Sequence, residues 1–163
     1  MIKIGILSDT HLTGPTDFFR AQVKACFGGA DMIFHAGDLT ELGVLEAFAG
    51  WELHAVRGNM CSAAVGVALP LKKIVQVGRF RIGLIHGAGY GPDIEERLWN
   101  EFGLVDCIVY GHTHRPVCHK KGPVLFINPG SFTALGRHGP AGTYALLTVG
   151  EDLQAGIYEV PKP

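Results

Sequence analysis

The sequence lacks the features of a membrane-spanning, nucleic-acid-binding or disulfide-stabilised protein. No apolar run approaches the ~18 residues that a membrane helix needs. The net charge of −1 gives no electrostatic basis for a nucleic-acid or membrane partner. The four cysteines form no Cys-x-x-Cys pair and show no disulfide spacing. We therefore expect a cytoplasmic protein in a reducing compartment.

Charged residues are also scarce, at 18%, whereas hydrophobic residues make up 47% of the 163 residues. This balance excludes a disordered chain and predicts well-buried sheets. It also predicts some apolar surface that a homodimer or homotetramer would cover. Because there is no repeat, linker or low-complexity stretch, we expect one domain over residues 1–163.

The order of predicted elements indicates an α/β fold with two sheets. Strands at 3–7, 31–36 and 53–57 alternate with a helix capped by Thr16 and a helix at 41–49, which favours a parallel sheet with crossover helices. The rest of the chain is mostly β. It contains a hairpin (73–77 and 80–85), a helix (93–102) and strands at 105–110, 117–120, 124–127, 143–149 and 153–160.

Five short segments share one layout, in which an apolar strand runs into a glycine-rich or polar turn that carries a potential metal ligand. They are Ser8-Asp9-Thr10-His11, His35-Ala36-Gly37-Asp38, Arg57-Gly58-Asn59, His86-Gly87 and Gly111-His112-Thr113-His114. Ligands of open α/β sheets bind beyond the carboxyl ends of parallel strands, so these segments can converge. Alone, most of them are typical of turns or hydrogen-bonded histidines. Together they predict a metal site.

The potential ligands are two carboxylates, four imidazoles and one asparagine amide. This mixture suits Mn²⁺, Fe, Ni²⁺, Co²⁺ or Zn²⁺ and is too rich in nitrogen for a dedicated Mg²⁺ or Ca²⁺ site. Seven ligands exceed the four that a tetrahedral zinc site needs. Two ions that share one carboxylate would use all seven.

The same residues resemble the pattern of the calcineurin-like metallophosphoesterases. That family's motifs match Asp9-Thr10-His11, Gly37-Asp38, Gly58-Asn59, His86-Gly87 and Gly111-His112-Thr113-His114. The chain is most similar to the small single-domain bacterial and archaeal phosphodiesterases of the family. Asn128-Pro129-Gly130-Ser131 is similar to a segment of that subgroup.

The resemblance implies a four-layer αββα sandwich with two mixed β-sheets and a centre of two divalent ions. Mn²⁺ is the metal expected first, with Ni²⁺, Co²⁺, Fe or Zn²⁺ as substitutes. By position, one ion would be held by Asp9, His11 and His114, the other by Asn59, His86 and His112, with Asp38 bridging both. Asp38, Asn59 and His112 are the predicted catalytic residues, and Asn59 and Arg57 the predicted substrate contacts.

The expected activity is hydrolysis of a small phosphate ester by a hydroxide that bridges the two ions. Many relatives carry His-Asp after Gly-Asn, whereas this chain has Met60-Cys61. Methionine cannot act as a general acid, so esters with poor leaving groups should react slowly. The small phosphodiesterase subgroup often lacks this histidine too, which favours the resemblance to that subgroup. The alternatives are a phosphomonoesterase or nucleotide phosphatase of the same family. A further alternative, from a different class, is a non-catalytic metal-binding scaffold that resembles a eukaryotic retromer subunit.

Several residues near these segments receive other interpretations. His35 is expected to be a structural, hydrogen-bonded histidine. Arg115 and Arg137 are weaker candidates than Arg57 for a phosphate contact. The remaining histidines are predicted to lie at the surface or in turns; they are His54, His119 and His138.

Overall fold

The computed structural model describes residues 1–133 and 139–162, and Arg137 and His138 lie outside the described residues. The strands are β1 (Ile2–Leu7), β2 (Met32–His35), β3 (Glu52–Ala55), β4 (Lys72–Val77), β5 (Phe80–Ile85), β6 (Cys107–Val109), β7 (Val117–Lys121), β8 (Val124–Asn128), β9 (Thr143–Val149) and β10 (Leu153–Glu159). The α-helices are α1 (Asp17–Phe27), α2 (Ala63–Ala68) and α3 (Ile94–Phe102), and a 3₁₀ helix spans Leu42–Phe48.

The strands form two mixed sheets of five strands each, and each sheet has a parallel centre. The first sheet has the order β10-β9-β1-β2-β3, in which β1, β2 and β3 are parallel. The second has the order β4-β5-β6-β8-β7, in which β5, β6 and β8 are parallel. The antiparallel strands lie toward the edges. Each sheet therefore gathers the carboxyl ends of three strands at one edge.

The alternation of side chains along β1 shows how the layers are held together. Ile4 and Ile6 are buried in the core between the two sheets. Between them, Gly5 faces α1, where a Cβ atom would lie only 2.4 Å from Cδ1 of Phe27. A second core packs α1 and the 3₁₀ helix on the first sheet, and a third packs α3 on the second. The predicted four-layer αββα sandwich is confirmed.

Helix α1 begins where the sequence predicts. The Thr16 hydroxyl accepts a hydrogen bond from the Phe19 N–H at 3.1 Å, which satisfies one of the free donors of the first turn. Phe19, Val23 and Phe27 are buried on one face. Among the described residues, no helix is long and apolar enough to cross a bilayer.

Two local predictions need correction, and one helix was not predicted. The predicted helix at 41–49 is a 3₁₀ helix, which begins without a side-chain cap and contains Gly43 in its first turn. Helix α2 was not predicted, because its six residues include Gly66 and bury only Val65. His54 lies in β3 rather than in a turn; its side chain is 15% exposed and pairs with Glu52.

Candidate metal centre

The two sheets bring the ends of their parallel strands to one place, where the predicted ligand segments meet. Asp9 and Asp38 follow β1 and β2 of the first sheet, whereas His86 and His114 follow β5 and β6 of the second. Asp9, His11 and His114 offer ligand atoms that all lie within 4.8 Å of one another. Asp9, Asp38 and His86 form a second such group. The fold therefore assembles two adjoining sets of metal-binding side chains.

The buried Asp9 carboxylate is held by one of its oxygens. Its Oδ2 accepts hydrogen bonds from the Ser8 hydroxyl at 2.6 Å and from the His112 N–H at 3.2 Å. Its Oδ1 lies 3.1 Å from Nε2 of His114 and 3.7 Å from Nε2 of His11. One oxygen is thus fixed by the protein, and the other faces the imidazoles. Such anchoring orients a carboxylate for a metal ion.

Asp38 is arranged in the same way. Its Oδ1 accepts a hydrogen bond from the Met60 N–H at 2.7 Å, while its Oδ2 lies 3.2 Å from Nε2 of His86 and 3.7 Å from Nε2 of His11. Burial raises the pKa of this carboxyl, but the hydrogen bonds from His86 and Met60 and the nearby imidazoles together lower the pKa to about 2. Asp38 is therefore an anion at neutral pH.

His86 has one ring nitrogen directed at the centre. Its Nδ1 donates a hydrogen bond to the Ala36 carbonyl at 2.8 Å, which leaves Nε2 for the centre. Nε2 lies 3.0 Å from Oδ1 of Asn59. Burial lowers the pKa of His86, but its hydrogen bond with Asp38 and the charges of Asp9 and Asp38 raise it overall. The pocket therefore attracts positive charge.

The remaining predicted ligands lie at the open side of the centre. The side chains of His11 and His114 are 34% and 41% exposed, and their ring centroids are 5.7 Å apart. His112 is exposed, and its ring centroid lies 5.2 Å from that of His86. His11 and His114 join Asp9 as predicted, whereas His112 belongs to neither of the two close groups. The division of ligands between two ions stays a prediction.

Strained backbone is concentrated at these ligands. The described non-glycine residues with positive φ are Asp9 (55°), His11 (48°), Asp38 (58°), Thr40 (71°), His112 (66°) and His114 (58°). Five of these six are predicted metal ligands. Residues other than glycine rarely adopt this backbone conformation, and such strain is commonly found at functional sites.

Two glycines of the ligand segments are required by close packing against the carboxylates. A Cβ atom at Gly58 would lie 2.0 Å from Oδ1 of Asp38. One at Gly111 would lie 2.0 Å from Oγ of Ser8 and 2.9 Å from Oδ2 of Asp9. Gly58 thus lets the loop after β3 contact Asp38 within the first sheet, and Gly111 lets a loop of the second sheet contact Asp9 of the first.

The end of β8 and the segment after it brace the ligand loops, a role that was not predicted from the sequence. The Asn128 side-chain amide donates to the Gly111 carbonyl at 2.9 Å and to the Thr113 hydroxyl at 3.0 Å. The Ser131 hydroxyl donates to the Asp9 carbonyl at 3.0 Å. The signal available in the sequence was a polar Asn-Pro-Gly-Ser segment directly after a buried strand.

The candidate residues outside the ligand set take different positions. His35 is fully buried; its Nδ1 accepts from the Gly37 N–H at 3.1 Å, which confirms its structural role. A guanidinium nitrogen of Arg57 donates to the Gly66 carbonyl of α2 at 2.8 Å. Arg115 instead lines a cleft beside His112. Its position makes Arg115 a stronger candidate for a substrate contact than the sequence indicated.

The donors present fit divalent transition-metal ions. Carboxylate and amide oxygens mixed with imidazole nitrogens suit Mn²⁺, Fe, Co²⁺, Ni²⁺ and Zn²⁺. Within residues 1–133 and 139–162, no lysine or arginine forms an ion pair with Asp9 or Asp38. Two buried carboxylates without such partners need cations to compensate their charge. The centre would hold divalent ions through these carboxylates and the surrounding imidazoles.

Comparison with known proteins agrees with this geometry. The model of the calcineurin-like phosphoesterase superfamily domain matches residues 2–152. The chain belongs to this superfamily. A protein of Methanothermobacter thermautotrophicus described as a probable metallophosphoesterase is 34% identical over 166 residues, which cover 98% of this chain and 94% of the relative. The resemblance stated from the motifs is confirmed.

Solved structures share the fold at lower identity. A structure of an archaeal phosphodiesterase has a TM-score of 0.71 and 22% identity, and the match covers 96% of this chain and all of that chain. Vps29 of Entamoeba histolytica, solved in complex with Zn²⁺, has a TM-score of 0.71 and 19% identity, covering 98% and 100% of the two chains. Superfamily membership and the clustered ligands identify a metal-dependent phosphoester hydrolase.

Proposed function

We propose that the protein is a phosphodiesterase that works with two divalent ions, Mn²⁺ first among them. The observation that carries the proposal is the pair of buried carboxylates, each with one oxygen anchored and the other facing imidazoles. Oδ2 of Asp38 faces both His86 and His11, which are predicted to bind different ions. This placement supports Asp38 as the bridge between them.

The chain's own residues position and orient the reacting groups. Two divalent ions, when bound, supply a hydroxide nucleophile near neutral pH and neutralise charge on the phosphoryl oxygens. Asp38 would set the spacing of the centre. Asn59, whose Oδ1 faces Nε2 of His86, would bind the same ion as His86 and would orient a phosphate oxygen. His112, exposed beside His86, would face the substrate.

Met60 favours esters with good leaving groups. Its side chain is 56% exposed at the position where many relatives carry the histidine that protonates the leaving oxygen. The small phosphodiesterases of the family often lack this histidine too. The Cys61 thiol donates to the Gly58 carbonyl at 3.2 Å and so packs within its own loop. Esters whose leaving group departs without protonation should therefore react best. A phosphomonoesterase or nucleotide phosphatase is the alternative within the family.

The test is hydrolysis of bis(p-nitrophenyl) phosphate and p-nitrophenyl phosphate after chelation and re-addition of Mn²⁺, Ni²⁺, Zn²⁺ or Mg²⁺. Metal-restored cleavage that favours the diester is the expected result. A preference for the monoester would instead support the phosphomonoesterase. Loss of metal-dependent cleavage of both esters would contradict an enzymatic role.

A metal-binding scaffold is a second candidate, and the fold shared with Vps29 favours it. A Vps29 protein was solved with Zn²⁺, so metal binding alone does not separate a scaffold from an enzyme. Turnover does. Stoichiometric metal binding without hydrolysis of either ester would support the scaffold.

The location, partners and oligomeric state of the protein are also proposals. We propose a cytoplasmic location, a small phosphate ester as substrate, and no nucleic-acid or membrane partner. A homodimer or homotetramer is proposed from the apolar composition; exposed apolar side chains include those of Val67 and Leu71. Light scattering of the purified protein would measure the oligomeric state.

A further inference from the structure

A cleft of about 470 Å³ adjoins the candidate metal centre on the side of the second sheet. His112 and Thr113 line the cleft where it meets the centre, as does Gly87, which directly follows the ligand His86. Its volume lies within the range of small-molecule sites. A phosphate held at the ligands can therefore place one of its ester groups in this cleft.

The far walls of the cleft are apolar. Pro92, Ile94, Tyr110 and Val117 line it. Tyr110 is 2% exposed, and its hydroxyl donates to a carboxylate oxygen of Glu95 at 3.1 Å. The hydroxyl is thus satisfied by the protein, and the buried ring backs the apolar wall of the cleft.

Gly87 keeps the entrance from the metal centre open. It has a φ of 95°, and a Cβ atom there would lie 3.0 Å from Cδ1 of Ile94. A side chain at this position would press against Ile94, which lines the cleft. The glycine that follows His86 therefore leaves room for an ester group in the cleft.

Arg115 supplies a planar cationic group to the same cleft. Its backbone N–H donates to the Thr113 hydroxyl at 3.2 Å, which ties it to the ligand loop. Within the described part of the chain, its guanidinium forms no ion pair with a carboxylate. A guanidinium plane stacks on aromatic rings and attracts phosphate oxygens.

We infer that this cleft binds an aromatic or heterocyclic group of the ester, such as an aryl ring or a nucleobase. The inference rests on the proposed function, because the phosphate must bind at the metal ligands. Apolar walls and a planar guanidinium are suited to a flat ring. The chain would therefore prefer phosphate esters with an aromatic arm to those with small alkyl arms.

Isothermal titration calorimetry of the Mn²⁺-loaded protein with phenylphosphonate, methylphosphonate and butylphosphonate tests this inference without turnover. Phenylphosphonate should bind about tenfold more tightly than methylphosphonate, because its ring is buried in the cleft. Val117→Trp should fill the cleft and remove most of that difference. Ile94→Ala should reduce it by removing one wall. Leu104→Trp, at a site 86% exposed and outside the cleft, is the matched control and should retain it.

Equal affinities of the phenyl and methyl compounds for the wild-type protein would overturn the inference, as would butylphosphonate binding as tightly as phenylphosphonate. NMR of the protein loaded with diamagnetic Zn²⁺ provides a second readout, because paramagnetic Mn²⁺ would broaden resonances near the centre. The methyl resonances of Ile94 and Val117 should shift with phenylphosphonate but not with methylphosphonate, and unchanged resonances would also overturn it. Hydrolysis of bis(p-nitrophenyl) phosphate is judged separately, so the cleft can fail while the phosphodiesterase proposal stands.

Discussion

Among single residues, Asp38 is the one on which the candidate centre depends most. Its carboxylate faces His86 and His11, and its other oxygen is held by the Met60 N–H. Asp38→Asn keeps the shape and the Met60 hydrogen bond but removes the charge. We expect metal affinity and hydrolysis to fall together, each by about 100-fold or more, because an amide cannot replace a bridging carboxylate. Calorimetry with Mn²⁺ and diester turnover measure the two losses.

The control for that substitution is Asp152→Asn, which removes a carboxylate from the exposed turn between β9 and β10. It should leave both quantities unchanged. Full metal-dependent turnover in Asp38→Asn would show that the centre has been assigned to the wrong residues.

Met60→His is expected to gain activity on poor leaving groups. The position is exposed at the centre, so an imidazole there can reach a leaving oxygen. General acid catalysis contributes about 10²–10⁴-fold in well-tuned sites, and an untuned histidine should give about tenfold. Turnover of p-nitrophenyl phosphate and of an alkyl phosphate measures the gain. An equal change for good and poor leaving groups would argue against the missing-acid explanation, and Met60→Gln is the control.

His35 makes the metal-free protein less stable in acid. Burial and the nearby imidazoles of His86 and His11 lower its pKa to about 3, against the opposing charge of Asp38. The imidazole in the unfolded chain takes up a proton near pH 6.5, whereas the folded one stays neutral. The contribution of His35 to the free energy of unfolding is therefore present above pH 6.5 and is lost as pH falls toward 3. Between pH 7.5 and 5.5 the loss should be about 1.4 kcal/mol. Urea unfolding of the chelated protein and of His35→Asn at both pH values isolates it. An equal pH dependence in both proteins would contradict the prediction.

Among the elements of the fold, the end of β8 has the clearest supporting role. Asn128 is fully buried and holds both the Gly111 carbonyl and the Thr113 hydroxyl of the ligand loop. Asn128→Ala should lower Mn²⁺ affinity by about 10–100-fold, the usual cost of losing an outer-shell partner. Calorimetry measures it. Asn100→Ala, exposed on α3, is the control, and an affinity unchanged in Asn128→Ala would show that the loop holds its shape alone.

For the whole molecule, the centre joins two sheets that otherwise meet through apolar packing. Asp9 and Asp38 come from the first sheet and His86 from the second. Metal ions bound only by the folded state should stabilise it by about 2.7 kcal/mol at 100 times the Kd. We therefore expect Mn²⁺ to raise the Tm of chelated protein by about 5 °C or more. Calorimetric scans test this, with Asp38→Asn expected to show little shift. A Tm independent of metal would indicate that the centre contributes nothing to holding the sheets together.

The elements that the sequence predicted well are those with a strong local signal. Thr16 caps α1 because a side-chain oxygen before an apolar helical repeat satisfies a free N–H, which needs no distant partner. Helix α2 escaped prediction because it is short and buries only Val65. The Asn128 brace escaped because its partners lie 15 and 17 residues away in sequence and approach only through the pairing of β6 with β8.

The sequence by itself determined the fold class, the superfamily and the chemical nature of the ligands, since apolar periodicity and short motifs are local properties of the chain. It did not determine which oxygen of Asp9 or Asp38 is free for an ion. Only the tertiary structure decided that, because the hydrogen bond from Met60 comes from another loop and the one from His112 comes from the other sheet. The tertiary structure also decided which of Arg57 and Arg115 lines the cleft. Packing against α2 occupies Arg57, whereas the chain path after β6 brings Arg115 to the cleft.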